Sequence, residues 1–369
     1  MSSDSKPSIP EETTEAPTMP PQPGGQAPEP KLEISTSRNF VAWLHQQKIS
    51  LAFSTYQTGK LFLIGIQPPG NLSVFERTFS RAMGLHATSE EIYLSTVYQL
   101  WRFRNVLGGA EQYDGYDRCY TPRTCWVTGD IDIHDVALDK DRNIVFVNTL
   151  FSCLAAPDDN HSFRLIWKPP FISRLAPEDR CHLNGLAMKD GKPKFVTAVS
   201  KSDGADSWRE HRTDGGIVMD VENNEVIATG LSMPHSPRWY NNRLWVLNSG
   251  HGEFGYIDLN SGRFEPITFC SGYARGLAFH RNFAIIGLSG PRKNKTFSGL
   301  PLDAALEKRN TASRCGILVV DLNNGNIVEW LRIEGIVSEL YDVVTLPSVV
   351  RPMAIGFKTD EVKRVISYC

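Results

Sequence analysis

A short motif recurs along this chain at intervals of roughly fifty residues, and it constrains the fold more than any other feature. Six positions align when the segments around the motif are compared, and we call them the anchors: Met83, His134, Asn184, His235, Arg275 and Tyr341. An apolar stretch, a polar turn and a second apolar stretch follow each anchor, a pattern typical of β-hairpins. A third strand follows, often ending in an Asp-x-Asn-x-Gly turn such as 258–262, and then a fourth. Such repeats predict a β-propeller with six blades.

The two ends of the chain predict how the ring closes. Tyr341, the sixth anchor, is followed by too little chain for a whole blade. Three apolar segments near the N-terminus, 51–54, 61–64 and 72–75, look like strands that lack an innermost partner. The predicted fold class is therefore an all-β, six-bladed β-propeller, closed by N-terminal strands that complete the last blade and remove exposed sheet edges. An open β-sandwich is the alternative.

Composition divides the chain into a tail and one domain. Residues 1–37 are rich in Pro, Glu, Ser and Thr, which predicts a disordered tail. Residues 38–369 form the propeller domain, which opens with a short amphipathic helix whose apolar face carries Phe40, Trp43 and Leu44. An insertion at about 291–314 departs from the blade pattern, and its helical segment, 302–308, is a candidate lid.

Charge and cysteine content narrow the classes of function. With 39 basic and 41 acidic residues the net charge is -2, so neither nucleic acid nor an anionic membrane is an expected partner. No apolar run reaches transmembrane length, and the N-terminus lacks the apolar core of a signal peptide. Seven cysteines without paired or zinc-ribbon spacing indicate reduced thiols, which predicts a cytoplasmic protein.

Repeat equivalence predicts where a site lies. Equivalent positions of successive blades surround one axis, so the anchors form one ring in the central channel. Positions two residues earlier face the same way and form a second ring: Arg81, Asp132, His182, Met233, Tyr273 and Glu339. His134 and His235 belong to the anchor ring, whereas His182 belongs to the second, so the three imidazoles meet only if local bulges bring the rings together.

Three neutral imidazoles suit a transition metal such as zinc, iron, copper or nickel, whereas calcium prefers oxygen ligands. The sequence therefore nominates His134, His182 and His235 as metal ligands. The alternative is that these histidines order water or bind the polar groups of a ligand without metal. No Gly-x-Ser-x-Gly elbow, phosphate loop or dinucleotide fingerprint occurs in a suitable context, so no nucleotide cofactor is expected.

Other candidates are nominated by their chemistry. Groups able to transfer a proton or clamp an oxyanion form the candidate catalytic set: Arg275, Glu253, His251 and Asp135. Some groups can orient substrate or water, or can line the face of the propeller on which the anchors lie. They form the candidate substrate-binding set: Asn184, Tyr341, Trp208 and Arg209. Arg292, Lys293 and Lys295 in the insertion either attract an acidic small molecule or form a solvated surface.

Two functions of different classes fit these patterns. The leading hypothesis is a propeller enzyme with a metal-supported small-molecule site in the channel, a hydrolase or a lyase. The competing hypothesis is a non-catalytic propeller that binds a protein or peptide through Trp208, Trp239, Arg238 and the insertion.

Two family resemblances concern the fold. The Asn184-Gly185-Leu186 element and the terminal closure resemble the gluconolactonase and strictosidine-synthase-like propellers, in which such an asparagine binds a channel metal. His134, His235 and Arg275 depart from that pattern, because those proteins favour oxygen ligands there. Across about residues 38–369 the chain more closely resembles an uncharacterised bacterial family, frequent in cyanobacteria, through its motifs at 43–44, 55–60, 182–187 and 234–239. That resemblance implies the propeller and no reaction.

Overall fold

The computed structural model describes residues 31–290 and 298–368, which form six β-sheets arranged as the blades of a propeller. Each sheet contains four antiparallel strands, and two sheets gain a fifth strand at the outer edge. The innermost strands of successive blades contact one another, and the last contacts the first, which closes the ring. The predicted all-β, six-bladed fold class is confirmed.

The first elements described are β1 (Glu33–Thr36), α1 (Phe40–Gln47), β2 (Ile49–Thr55), β3 (Lys60–Gln67) and β4 (Asn71–Thr78). Blade 1 contains β5 (Leu85–Ala87), β6 (Glu91–Ser95), β7 (Gln99–Asn105) and β8 (Arg118–Val127). Blade 2 contains β9 (Ile133–Leu138), β10 (Ile144–Asn148), β11 (Cys153–Ala156) and β12 (Arg164–Trp167). Blade 3 contains β13 (Leu183–Lys189), β14 (Lys192–Ala198), β15 (Gly216–Asp220) and β16 (Glu225–Leu231).

Blade 4 contains β17 (Pro234–Tyr240), β18 (Arg243–Asn248), β19 (Glu253–Ile257) and β20 (Phe264–Phe269). Blade 5 contains β21 (Tyr273–His280), β22 (Phe283–Ser289), β23 (Cys315–Asp321) and β24 (Ile327–Glu334), with helix α2 (Pro301–Lys308) in its insertion. The last strands are β25 (Val343–Pro347) and β26 (Pro352–Ala354). Short 3-10 turns lie at Ser207–His211, Ser249–His251 and Asp360–Lys363.

Blade 6 is assembled from both ends of the chain. Its innermost strand is β25, which pairs with β2 so that Val343 lies opposite Phe53 and Pro347 opposite Ile49. Strands β3 and β4 complete the sheet outward. The predicted closure by N-terminal strands is therefore confirmed.

The boundary of the predicted tail needs a correction. Residues 33–36, assigned above to a disordered tail, form β1, which pairs with β24 and adds a fifth strand to blade 5. Residues 1–30 lie outside the described residues. At the other end of the chain, β26 runs parallel to β8 and extends blade 1. Both additions cover an edge strand that would otherwise expose unpaired backbone groups.

The second strand of each blade explains the apolar runs in the sequence. Strands β2 and β10 are buried along their whole length, because neighbouring blades cover both of their faces. Helix α1 covers one side of this core with Phe40, Trp43 and Leu44, as predicted, and the Trp43 ring packs edge-on against Phe283 at 5.5 Å. No helix in the described ranges has the length and apolar character needed to cross a membrane.

Hydroxyl groups link the blades near the channel. At five of the six blade junctions, a buried Ser or Thr near the end of the second strand donates a hydrogen bond to a backbone carbonyl in the innermost strand of the next blade or just before it: Ser54 to Met83, Ser95 to Ile133, Thr149 to Leu183, Ser249 to Ala274 and Ser289 to Leu340. Blade 3 has Val199 at the equivalent position. Such a bond typically stabilises a fold by about 1 kcal/mol.

The residues after the anchors alternate between two types. Blades 1, 3 and 5 have a glycine there, and a Cβ on Gly84 or Gly276 would lie within 2.9 Å of backbone in the next blade. Blades 2, 4 and 6 have Asp135, Ser236 and Asp342. Their side-chain oxygens accept the backbone N–H of Leu186, Gly276 and Leu85, respectively, at 2.8–3.0 Å. The channel therefore consists of three equivalent two-blade units.

Candidate functional site

An ion pair divides the channel into two cavities. The Arg238 guanidinium binds both carboxylate oxygens of Asp135, at 2.6 and 3.1 Å, and donates to the carbonyls of Leu186 and Leu277 at 3.1 Å each. Asp342 lies 3.9 Å from it. Asp135 and Arg238 line both the upper cavity, on the side of the anchors, and the lower cavity, on the side where the innermost strands end. The predicted proton-transfer residue Asp135 is thus part of this partition.

The upper cavity is narrow and is lined by five of the six anchors: His134, Asn184, His235, Arg275 and Tyr341. All five side chains belong to residues that are buried. The structure therefore brings together the predicted anion clamp, two predicted metal ligands and two predicted substrate-binding residues. Met83, the anchor of blade 1, is not among the lining residues.

A left-handed backbone conformation brings the second ring toward the anchors. Four equivalent residues in blades 1 to 4 have positive φ: Arg81 at 56°, Asp132 at 55°, His182 at 50° and Met233 at 47°. Non-glycine residues adopt this conformation infrequently. Its consequence is that the His182 ring contacts the His134 ring edge-on, with 4.9 Å between the ring centres. The positive φ angles therefore supply the local backbone irregularity that brings a residue of the second channel ring beside the ring of anchors.

Each of the three histidines is fixed through its Nδ1 atom. His134 and His235 donate from Nδ1 to the carbonyls of Asp132 and Met233, at 3.0 and 2.8 Å, and His182 Nδ1 lies 2.8 Å from the Asp179 carboxylate. Since a carbonyl only accepts, Nε2 of a neutral His134 or His235 is an acceptor. Burial, Arg275 and His182 hold the pKa of His134 well below its usual value, so this ring is neutral.

Nε2 of His235 is already engaged. The Thr197 hydroxyl donates to Asn184 Oδ1 at 2.7 Å, which fixes the orientation of the amide and places Asn184 Nδ2 3.4 Å from His235 Nε2. No bond from Nε2 of His134 or His182 to another described residue is present. These two atoms are therefore available to a ligand.

The three histidines are neighbours but do not form a metal-holding group. Within residues 31–290 and 298–368, no three His, Cys, Asp or Glu side chains are placed to hold a metal ion together. The His182 and His235 ring centres are 6.5 Å apart, and the His182 ring is stacked on Trp208 at 4.2 Å. A metal held by His134, His182 and His235 requires these rings to move, and it stays a prediction.

The Asp179 carboxylate joins His182 to Trp208. One of its oxygens lies 2.8 Å from His182 Nδ1 and also accepts the Trp208 indole N–H at 2.8 Å. Trp208 is only 2% exposed, so it supports His182 instead of forming the open aromatic wall expected from the sequence. Arg209 lies over the outer side of Trp208 at 4.4 Å and pairs with Asp206. Asp179 was missed, because one aspartate in an irregular loop carries no repeat signal.

Arg275 and Tyr341 form the most polar wall of the upper cavity. The guanidinium carbon lies 4.0 Å from the Tyr341 ring centre. No described residue forms a hydrogen bond or ion pair with that guanidinium, and the buried Tyr341 hydroxyl has no hydrogen-bond partner among the described residues. Burial raises the pKa of Tyr341 well above its usual value, so the hydroxyl keeps its proton.

Two predicted catalytic residues lie outside this cavity. Glu253 begins β19 in blade 4 and accepts a hydrogen bond from Asn248 Nδ2 at 3.1 Å. His251 lies in the adjoining 3-10 turn. Neither residue lines the upper cavity. Gly252, beside His251, packs against Leu302 and the backbone of Cys270.

Helix α2 of the insertion packs against residues that border the upper cavity. The predicted helix is present as α2, and its buried Leu302 and Leu306 join Trp208, Met233 and Tyr273 in one apolar cluster. Tyr273 Oη lies 3.3 Å from His235 Nδ1, so this cluster touches the site. The basic residues Arg292, Lys293 and Lys295 lie outside the described residues.

The contact face of the alternative binding hypothesis is not one surface. Trp208 is buried on the upper side, whereas Trp239 and Arg238 line the lower cavity. Arg238 is also occupied by Asp135 and backbone carbonyls. A protein partner that uses Trp208 and Trp239 together would have to contact opposite ends of the channel.

Comparisons with known proteins agree with this fold. A family model described as a domain of unknown function, DUF4915, matches residues 38–355. No curated protein matches the chain significantly. A solved structure of a nidogen/laminin complex aligns with a TM-score of 0.50 and 11% identity, over 82% of this chain and 99% of that chain. A catalytically inactive virginiamycin B lyase from Staphylococcus aureus with quinupristin aligns with a TM-score of 0.39 and 12% identity, over 82% and 99%. At 11% identity the likeness to the nidogen/laminin structure shows the fold alone.

Proposed function

This chain belongs to the DUF4915 family, whose description assigns no activity, and we propose that its upper cavity binds a small organic anion and exchanges a proton with it. The observation that carries the proposal is the buried Arg275 guanidinium, which forms no ion pair with a described residue; the carboxylates of Glu339 and Asp132 act on its charge only from a longer distance. A buried charge is costly unless it is paired, and a guanidinium pairs best with a carboxylate. A ligand carboxylate is the group this wall favours.

Hydrogen-bond donors and acceptors support the same ligand. The Tyr341 hydroxyl keeps its proton and has no described partner, so it can donate to an anionic oxygen. Asn184 is held by Thr197 and His235 and shapes the opposite wall. The cavity has a volume of about 10 Å³, the space of one water molecule, so an anionic end group would enter it only if the side chains that line it move apart, while the remainder of the ligand lies toward the second ring.

Proton transfer would fall to His182. The Asp179 carboxylate holds Nδ1, which leaves Nε2 free of described partners. His182 does not itself line the upper cavity; its ring contacts His134, which does, so a ligand must extend past His134 to reach Nε2. A histidine oriented by a carboxylate in this way is the usual form of a general base. We assign it removal of a proton from the carbon next to the bound carboxylate: His182 Nε2 takes the proton, and the C–H electron pair passes into the carboxylate group, whose oxygens Arg275 and Tyr341 hold. Departure of a leaving group from the neighbouring carbon would complete a lyase reaction. A hydrolase that uses His182 to activate water is the alternative reaction.

Calorimetric titration with acetate and succinate tests the binding step, with acetamide and succinamide as uncharged controls. Arg275→Met should weaken binding of the acids about 10- to 100-fold, the effect of losing a charged hydrogen-bonding partner. Arg243→Met removes an arginine that lies over the Tyr256 ring in blade 4, outside the cavity; it is the matched control and should bind as the wild type does. Equal binding of acids and amides, or an unaffected Arg275→Met variant, would refute the proposal.

Two further measurements test the chemistry. Proton NMR in deuterated water follows hydrogen exchange at the carbon next to the carboxylate of acetate or succinate. This exchange should be faster with the wild type than with His182→Gln. Elemental analysis of the wild type and of a His134→Ala/His235→Ala variant addresses the metal prediction. A near-stoichiometric transition metal that is lost in the variant would establish metal ligation and replace the scheme in which Arg275 and Tyr341 alone hold the anion.

A further inference from the structure

A second pocket lies between blades 1 and 2, away from the upper cavity, and its lining is cationic. Arg102 on β7, Arg142 in the turn before β10 and Arg164 at the start of β12 line it. Tyr93 and Trp126 supply its aromatic side. Its volume is about 240 Å³, none of its lining residues is acidic, and none is shared with the upper cavity.

The charge of the pocket is only partly balanced. Arg142 pairs with the buried Glu91, whose carboxylate also accepts the Tyr93 hydroxyl at 3.1 Å and lies 3.6 Å from Arg104. The Glu91 carboxylate is therefore already paired and does not neutralise the other arginines of the pocket. The guanidinium groups of Arg102 and Arg164 form no hydrogen bond or ion pair with any described residue, and Arg102 Nε is buried.

The shape of the lining narrows the chemistry of the ligand. Guanidinium groups match the oxygens of a phosphate group with paired, planar hydrogen bonds, and a dianion balances two cations. The half-buried Trp126 offers a surface on which an aromatic ring can stack, and an arginine near such a ring adds cation–π attraction. At about 240 Å³ the pocket is smaller than the roughly 300–1,000 Å³ of sites that hold drug-sized molecules.

We propose that this pocket between blades 1 and 2 is a second ligand site, which binds a small aromatic phosphate monoester through Arg102 and Arg164. The phosphate lies between the two unpaired guanidinium groups, with Arg142 at the edge, and the ring lies against Trp126. This site is independent of the function proposed for the upper cavity, because the two share no residue.

Calorimetric titration of the full chain with inorganic phosphate, phenyl phosphate and phenol tests the proposal. Phenyl phosphate should bind with a Kd of about 1 mM or tighter, phosphate more weakly, and phenol not at all. An Arg102→Gln/Arg164→Gln variant should lose at least about tenfold in affinity for phenyl phosphate, and raised salt should weaken binding. Trp126→Leu should reduce the advantage of phenyl phosphate over phosphate.

Two matched variants locate the binding. Arg243→Gln removes an arginine that lies over the Tyr256 ring at 4.7 Å in blade 4, and it should leave binding unchanged. Arg275→Met removes the cation of the upper cavity and should also leave it unchanged. The proposal is overturned if neither phosphate compound binds saturably, if the double variant binds as the wild type does, or if Arg275→Met abolishes binding. All variants should keep the wild-type circular dichroism spectrum, which shows that each remains folded.

Discussion

The guanidinium of Arg275 lies over the face of the Tyr341 ring, with 4.0 Å between the guanidinium carbon and the ring centre. The aromatic face attracts the cation without neutralising it, so the charge remains available to an anion. The same arrangement exposes the fold to the cost of a buried charge.

Arg275→Met should therefore raise the free energy of unfolding by about 1 kcal/mol in the absence of ligand, because a buried charge is replaced by an apolar side chain of similar length. Urea unfolding of the two proteins measures the difference. Tyr341→Phe is the companion variant: it removes a buried hydroxyl that has no described partner, and it should be neutral or stabilising. A loss of about 2 kcal/mol or more in either variant would show that the substituted group has a stabilising partner in the folded protein.

Asp179→Ala should destabilise the fold by about 2–4 kcal/mol, because it leaves both the His182 Nδ1 and the Trp208 indole N–H buried without an acceptor. Asp179→Asn keeps one acceptor oxygen and should cost less. Unfolding followed by tryptophan fluorescence measures both. If the two substitutions cost the same, the carboxylate does not hold these two rings in place.

Asp342 gives a pH dependence with a defined sign. Burial raises its pKa from 3.8 to about 7, against the opposing effect of Arg238. The folded protein then holds a proton that the unfolded chain releases, so this group loses stabilising effect as the pH rises from 3.8 and the loss is complete above about 7. The free energy of unfolding of Asp342→Asn, relative to that of the wild type, should be highest above pH 7 and lowest near pH 4. Parallel curves of unfolding free energy against pH for the two proteins would contradict this.

The hydrogen bonds that hydroxyl groups form between blades should each contribute to the stability of the fold. Thr149→Val removes the bond to the Leu183 carbonyl while it keeps the volume of the side chain, and it should cost about 1–2 kcal/mol. The half-buried Thr124 on β8 is the matched control, and Thr124→Val should change stability by less than about 0.5 kcal/mol. Thermal unfolding compares them directly. Equal shifts would assign the stability to burial alone.

Much of the fold was predictable because the repeat determines it. The anchors gave the number of blades, and the apolar segments at 51–54, 61–64 and 72–75 proved to be the outer strands of blade 6. Strand β1 was missed, since four residues after a Pro-rich stretch carry little periodicity and depend on β24 for their pairing. Pairing with β24, more than the local sequence, makes β1 a strand.

The site was predictable only where it follows the repeat. His134, His235, Arg275 and Tyr341 meet because they are equivalent positions around one axis. Trp208 appeared to be an exposed loop residue, because its neighbours are polar, but stacking on His182 and the insertion helix buries it. Asp179 contacts His182 through loop geometry that no pattern encodes.

The construction of blade 6 has a consequence for biosynthesis. Strand β2 is made early, yet its innermost partner, β25, is made some three hundred residues later, so roughly a minute or less of synthesis separates them at typical rates. During that interval one edge of a strand that is buried along its whole length in the folded protein has no pairing partner. The nascent chain therefore depends on transient shielding of β2, and premature termination before residue 343 would release a chain whose ring cannot close.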